Sequence, residues 1–211
     1  MSAAATRIKS DSVLPFSLVF FSSDKITLDP AIVARAGGEK LAIVFRHYEL
    51  PLELRRRRAL SLANVCRNTG TKLFVGNDVS IAKTVGAYGV HWSFRRGHPP
   101  TRPELGPLTL SIACHSLEEI KWANAARADL AYLSPVFDTT THPDANPLGP
   151  QMLRSIAAEA TMPVFALGGV NAANVNKLRN ANIHGIAAID AFSIDHKSRA
   201  SAEQAPPERA R

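Results

Sequence analysis

Eight short apolar runs recur along the chain: Phe16 to Phe21, Leu41 to Phe45, Lys72 to Val75, Gly89 to Trp92, Leu108 to Cys114, Leu130 to Leu133, Pro163 to Leu167 and Gly185 to Ile189. Each is too short for a buried helix and reads as a strand. Between them lie stretches such as Ser80 to Val85, Leu117 to Ala126, Pro150 to Ala160 and Ala172 to Ala181, whose apolar residues have helical spacing. Strict alternation returns each strand through a right-handed crossover, so the strands run parallel. Such a sheet closes as a barrel or stays open and doubly wound. Eight units favour the α/β fold class of the (β/α)8 TIM barrel, and 211 residues lie near its lower size limit.

Two helix starts are well marked. Ser116 precedes Leu117-Glu118-Glu119, so its hydroxyl can cap the first free amides and Glu119 can complete a capping box. Asn171 precedes Ala172 in the same way, directly after Gly168-Gly169-Val170. Residues 13–194 are read as the single barrel domain. The polar ends, 1–12 and 195–211, carry too little apolar surface to order themselves and are expected to be disordered.

Several function classes fall away on composition. With 45% hydrophobic and 20% charged residues the chain is an ordinary globular sequence. The apolar stretch Val13 to Phe21 is broken by Pro15 and Ser17 and is far too short to span a bilayer. No secretory signal pattern precedes it, so a cytoplasmic protein without membrane partners is expected. Cys66 and Cys114 stand alone and read as reduced structural thiols. His115 adjoins Cys114, but neighbours on a strand point to opposite faces, which argues against a catalytic pair. The formal charge of +7 is concentrated in Arg55 to Arg58 and in Arg95-Arg96. The first run reads as the start of a solvated helix face rather than a nucleic-acid site, because no nucleic-acid motif accompanies it.

In a parallel barrel the chemistry gathers at the C-terminal ends of the strands. Read in order, those ends offer Ser22-Ser23-Asp24, Arg46-His47-Tyr48, Asn77-Asp78, His91-Trp92-Ser93, His115-Ser116, Asp138-Thr139-Thr140-Thr141-His142, Gly168-Gly169 and Asp190. Arg46 supplies a planar donor fork for phosphate or carboxylate, Asn77 a two-way amide, and Asp78 a metal ligand or ion-pair partner. Taken singly, Asn77-Asp78 reads as a loop capping the next helix and Gly168-Gly169 as a tight turn. Placed after the seventh strand, the Gly-Gly turn also fits a phosphate-binding role, which implies a small phosphorylated substrate.

The segments Phe45-Arg46, Asn77-Asp78, Gly86 to His91, Cys114 to Glu119, Ser134 to Thr141, Pro147-Leu148-Gly149 and Ala166 to Asn171 together resemble the thiamine phosphate synthase family and its TenI-type relatives. The resemblance implies a transferase that joins hydroxymethylpyrimidine diphosphate to a thiazole phosphate, with Mg²⁺ assisting departure of pyrophosphate. It places Arg46 and Asn77 on the pyrophosphate, Asp78 on the metal, Thr139 and Thr141 on the thiazole side, and the Gly168-Gly169 backbone on a phosphate. The family pattern is departed from at Tyr48 and His142, where it has lysines, at Arg96, where it has a second metal-binding aspartate, and at Ala113, where it has a serine. Asp190 replaces a small hydroxyl residue, and Pro135 replaces the histidine of the TenI-type relatives. Arg96 and His142 are expected to act as replacement donors, Arg96 to pair with Asp78, and any metal dependence to be weak. The alternative function is a non-catalytic or TenI-like barrel that binds a phosphorylated thiazole-type ligand.

Overall fold

The computed structural model describes residues 14–26, 28–139 and 145–189. The strands are β1 (Leu18–Ser22), β2 (Leu41–Phe45), β3 (Lys72–Gly76), β4 (Gly89–Ser93), β5 (Thr109–Cys114), β6 (Leu130–Leu133), β7 (Val164–Leu167) and β8 (Gly185–Ala188). They close in sequence order into a barrel in which every neighbouring pair is parallel, β8 returning to β1 through Leu18↔Ile186. Helices α1 (Pro30–Gly37), α2 (Leu52–Thr69), α3 (Val79–Thr84), α4 (Arg102–Leu105), α5 (Leu117–Ala125) and α6 (Gly149–Ala157) connect them. No described helix is long and apolar enough to cross a membrane.

Strand periodicity divides the apolar residues into two layers. Val19, Phe21, Ala42, Val44, Phe74, Tyr132, Phe165 and Ala187 fill the barrel interior. Their alternates, including Phe20, Ile43, Phe45, Val75, Ile112, Leu133 and Ala166, pack outward under the helices. Each fully buried large side chain contributes about 1.5–3 kcal/mol, so both layers hold the strand ends in register.

The first apolar run is only partly a strand. Phe16 lies ahead of β1 and plugs the N-terminal end of the barrel, stacked on Phe165 at 5.6 Å and edge-on to Phe74 at 5.9 Å. A second correction concerns the helix expected over Ala172 to Ala181, which is reduced to a 3₁₀ turn at Val175–Leu178. Asn171 caps the turn just ahead of it, its Oδ1 accepting from the amides of Ala173 and Asn174, while the 3₁₀ turn itself starts at Asn174 without a side-chain cap. Asn174, however, turns back to donate to Gly169 O at 2.8 Å, drawing the chain towards the preceding turn. At α5, Ser116 accepts from Glu119 N as expected, while the Glu119 carboxylate reaches one residue further and accepts from His115 N at 2.6 Å.

Candidate active site

Because all eight strands run the same way, the residues that follow them face one mouth. There a cavity of about 980 Å³ is lined by Phe21, Arg46, Tyr48, Asn77, His91, Arg95, Arg96, His115, Thr139 and Gly168, among others. Arg46, Asn77, Arg96, Thr139 and Gly168 are thus brought together. Thr141, His142 and Asp190 lie outside the described residues.

Arg46 continues the inward alternation of Ala42 and Val44 on β2. Its guanidinium carbon sits 4.9 Å from the centroid of the Phe21 ring, and its Nε is buried without a hydrogen-bond partner. The ion pairs of the described residues are His47–Asp24, Arg55–Asp78, Arg56–Glu53 and Arg102–Asp129. None of them engages Arg46. Desolvation lowers its pKa and the nearby Tyr48 opposes that shift.

Asn77 is committed to positioning. It adopts a left-handed φ of 51°, its amide donates to His91 O at 2.8 Å, and its Oδ1 accepts from Ser93 N at 3.0 Å. The end of β3 is thereby fastened to the end of β4. Its Nδ2 donates to the Tyr48 hydroxyl at 3.1 Å, leaving the phenolic proton free to donate. Desolvation raises the Tyr48 pKa, while Arg46, Arg55 and Arg96 all act to lower it. Tyr48 is therefore the centre of a guanidinium cluster.

Asp78 corrects two expectations. Arg96 is not its described partner. Asp78 Oδ1 caps α3 by accepting from Ile81 N at 2.8 Å, and Oδ2 lies 3.2 Å from Arg55 Nη1. Arg55 also donates to Gly76 O at 2.6 Å and lies over the Tyr48 ring, 5.4 Å from its centroid. So the arginine run does not simply open a solvated face: Arg55 is buried. The signal for this was present, since Arg55, Ala59, Leu62, Ala63 and Cys66 share the helical spacing of the buried face of α2.

Gly168 and Gly169 have φ of 90° and 67° and pack directly beneath the loop after β6. Phe137 N donates to Gly168 O and Val136 N to Leu167 O, both at 3.0 Å. Gly169 therefore supports the Phe137-Asp138 backbone, which leads into Thr139, and is not itself a lining residue.

His115 and Ser134 form a polar pair at the mouth that the strand-end reading named only in part. Nδ1 of His115 lies 2.9 Å from Ser134 O, which can only accept, so Nδ1 carries a proton. Cys114 points the other way, its Sγ near Glu119 O, and burial pushes its thiol up to about 12. Sequence neighbours on this strand do diverge, and no Cys–His couple forms. The arginine-bearing segment Phe94–Arg96 is flanked by both tryptophans of the chain. Trp92 Nε1 donates to Gly97 O at 3.2 Å, and Trp122 meets Phe94 edge-on at 4.7 Å.

His91 floors the cavity, buried against Phe21 and Tyr132, with Nδ1 3.1 Å from Ser111 Oγ. Burial, reinforced by the charge of Arg46, holds its pKa down to about 3 from the ordinary 6.5. A group neutral in the fold and protonated in the unfolded chain stabilises fully above its unfolded pKa. Stability should therefore fall as pH drops from 6.5 towards about 3, His91 contributing a slope approaching ~1.4 kcal/mol per pH unit. Urea midpoints against pH for the parent and His91→Gln check this, and parallel acid limbs would refute it.

Comparison with known proteins adds to this geometry. The family described as thiamine monophosphate synthase matches residues 22–192. The thiamine-phosphate synthase of Bacillus velezensis is 29% identical to this chain, over 94% of it and 93% of the relative. That of Chloroflexus aurantiacus is 31% identical over 86% of this chain and 83% of its own length. Among solved structures, a thiamine phosphate pyrophosphorylase from Pyrococcus furiosus superposes with a TM-score of 0.74 at 26% identity, covering 90% of this chain and 93% of that one.

Proposed function

Because this chain belongs to the thiamine monophosphate synthase family, we propose that its cavity joins hydroxymethylpyrimidine diphosphate to a thiazole phosphate, as a transferase of thiamine biosynthesis. The observation that carries this reading is the Arg46 guanidinium, which faces the cavity with no carboxylate partner among the described residues. Such a cation is a counter-charge in waiting for a departing anion.

In the reaction, the C–O bond between the pyrimidine methylene and the diphosphate breaks, its electron pair leaving with the diphosphate oxygen. The thiazole nitrogen lone pair forms the new C–N bond, giving the thiazolium product. No proton or electron has to be supplied. The demand on the protein is electrostatic: neutralise the leaving group and hold the two reactants in line. Arg46, Arg96 and the Tyr48 hydroxyl serve the first task, and Asn77 holds Tyr48 in place. Thr139 and the loop it belongs to, carried by Gly168 and Gly169, serve the thiazole side; Thr141 is assigned to the same side on the family pattern, and His142, where that pattern has a lysine, is assigned as a catalytic donor in its place. Pro135 at the position of the TenI-type histidine leaves tautomerisation without its base.

Incubating the purified chain with both substrates should give thiamine phosphate and diphosphate in equal amounts. Failure to form either, with the thiazole phosphate still bound, would replace the transferase by a ligand-binding barrel.

A further inference from the structure

Asp78 stands where the family pattern has a metal-binding carboxylate, and the donors around it do not fit a metal. Both of its oxygens are engaged, one by the α3 amide of Ile81 and the other by Arg55. Mg²⁺ requires an octahedron of hard oxygens, usually with one or two free carboxylates. The second carboxylate position is Arg96, and no group of three or more His, Cys, Asp or Glu residues is assembled among the described residues. Nor is Arg55 a mobile counter-ion. It is buried, bonded to Gly76 O, and packed against the Tyr48 ring.

The cavity instead presents guanidinium groups. Arg46, Arg95 and Arg96 all line it, and no ion pair of the described residues includes any of them. Arg96 is close enough to Tyr48 to act on its phenol, as are Arg46 and Arg55. A guanidinium matches phosphate oxygens through two parallel N–H donors.

We infer that this cavity takes diphosphate as an anion held by arginines, without a divalent cation, and that Asp78 anchors Arg55 instead of a metal. The inference rests on the reading above that a diphosphate enters this cavity. A soluble cation has been replaced by cations tethered to the fold, one directly after β2 and two in the turn after β4. Arg55 neutralises the carboxylate that would otherwise repel the incoming anion.

Calorimetric titration of the full chain with inorganic diphosphate tests this, in EDTA and again in excess Mg²⁺, corrected for the Mg²⁺–diphosphate complex. The Kd in EDTA should lie within about threefold of that in Mg²⁺, and Arg46→Ala should weaken it by roughly 10–100-fold, the cost of lost hydrogen bonds to a charged group. Asp78→Asn retains a good N-cap residue and should leave both values within about threefold of the parent. Binding that appears only with Mg²⁺, or that Asp78→Asn abolishes, overturns the inference. So does absence of binding in both conditions. Thiamine phosphate formation would still uphold the transferase in that case, so the two readings fail separately.

Discussion

Replacing Arg46 with Ala should lower kcat/KM by roughly 10²–10³-fold, the range associated with loss of a preorganised charge at a developing anion. The reasoning starts from desolvation. Arg46 is held over Phe21, its Nε has no partner, and burial depresses its pKa. A cation kept in so poor a setting gains its stabilisation when an anion arrives, and gains most when charge accumulates on the leaving diphosphate. The loss should therefore appear in kcat as well as KM. The fold should be almost indifferent, because no ion pair of the described residues is broken and an apolar ring is left against a methyl group. Arg46→Lys should recover only part of the rate, since a point charge lacks the bidentate fork. Steady-state kinetics with the two substrates, alongside melting curves, checks both halves. A loss below about tenfold would remove Arg46 from the diphosphate.

Gly169→Ala should have the largest effect on stability, about 3 kcal/mol or roughly 10 °C in Tm for a chain of this size. A Cβ at this position would lie 2.2 Å from Asp138 O and 2.8 Å from the Phe137 carbonyl carbon. These obstacles are backbone, so no rotamer change relieves them. The φ of 67° adds the strain of a left-handed L-residue. Gly106→Ala is the control, with a similar φ of 62° and nothing within 4 Å of the new carbon. It should lose only about 1 kcal/mol. Because the displaced loop carries Thr139, KM for the thiazole phosphate should rise in Gly169→Ala and stay unchanged in Gly106→Ala. Equal melting temperatures for the two variants would refute the packing argument.

The barrel was legible because strands buried on both faces read as uninterrupted apolar runs. Leu41–Phe45 and Leu130–Leu133 coincide with such runs residue for residue. The mouth was legible for the same reason, since polarity returns where each strand ends. What could not be read was which polar groups spend themselves on one another. Asp78 and Arg55 are 23 residues apart in sequence: helical spacing could single out Arg55 as the arginine that turns inward, but nothing local names the carboxylate it meets. The expected partner, Arg96, was inferred from a metal shared by two positions, of which one has changed to arginine and the other, Asp78, is engaged by Arg55 and the α3 amide. Phe16 was assigned to a strand because an apolar plug and an apolar strand have the same composition. The turn after β7 was misread as a full helix because capping by Asn171 specifies a start and not a length.

The placement of the two tryptophans has an optical consequence. Trp92 is bonded to Gly97 at one end of the Arg95-Arg96 segment and Trp122 is wedged against Phe94 at the other, and the chain has no further indole. All of its long-wavelength emission therefore originates beside Arg95 and Arg96, which line the mouth. Filling of the mouth by an anion is therefore expected to change the native fluorescence of the protein, which titration with inorganic diphosphate would read with no dye, label or coupled enzyme.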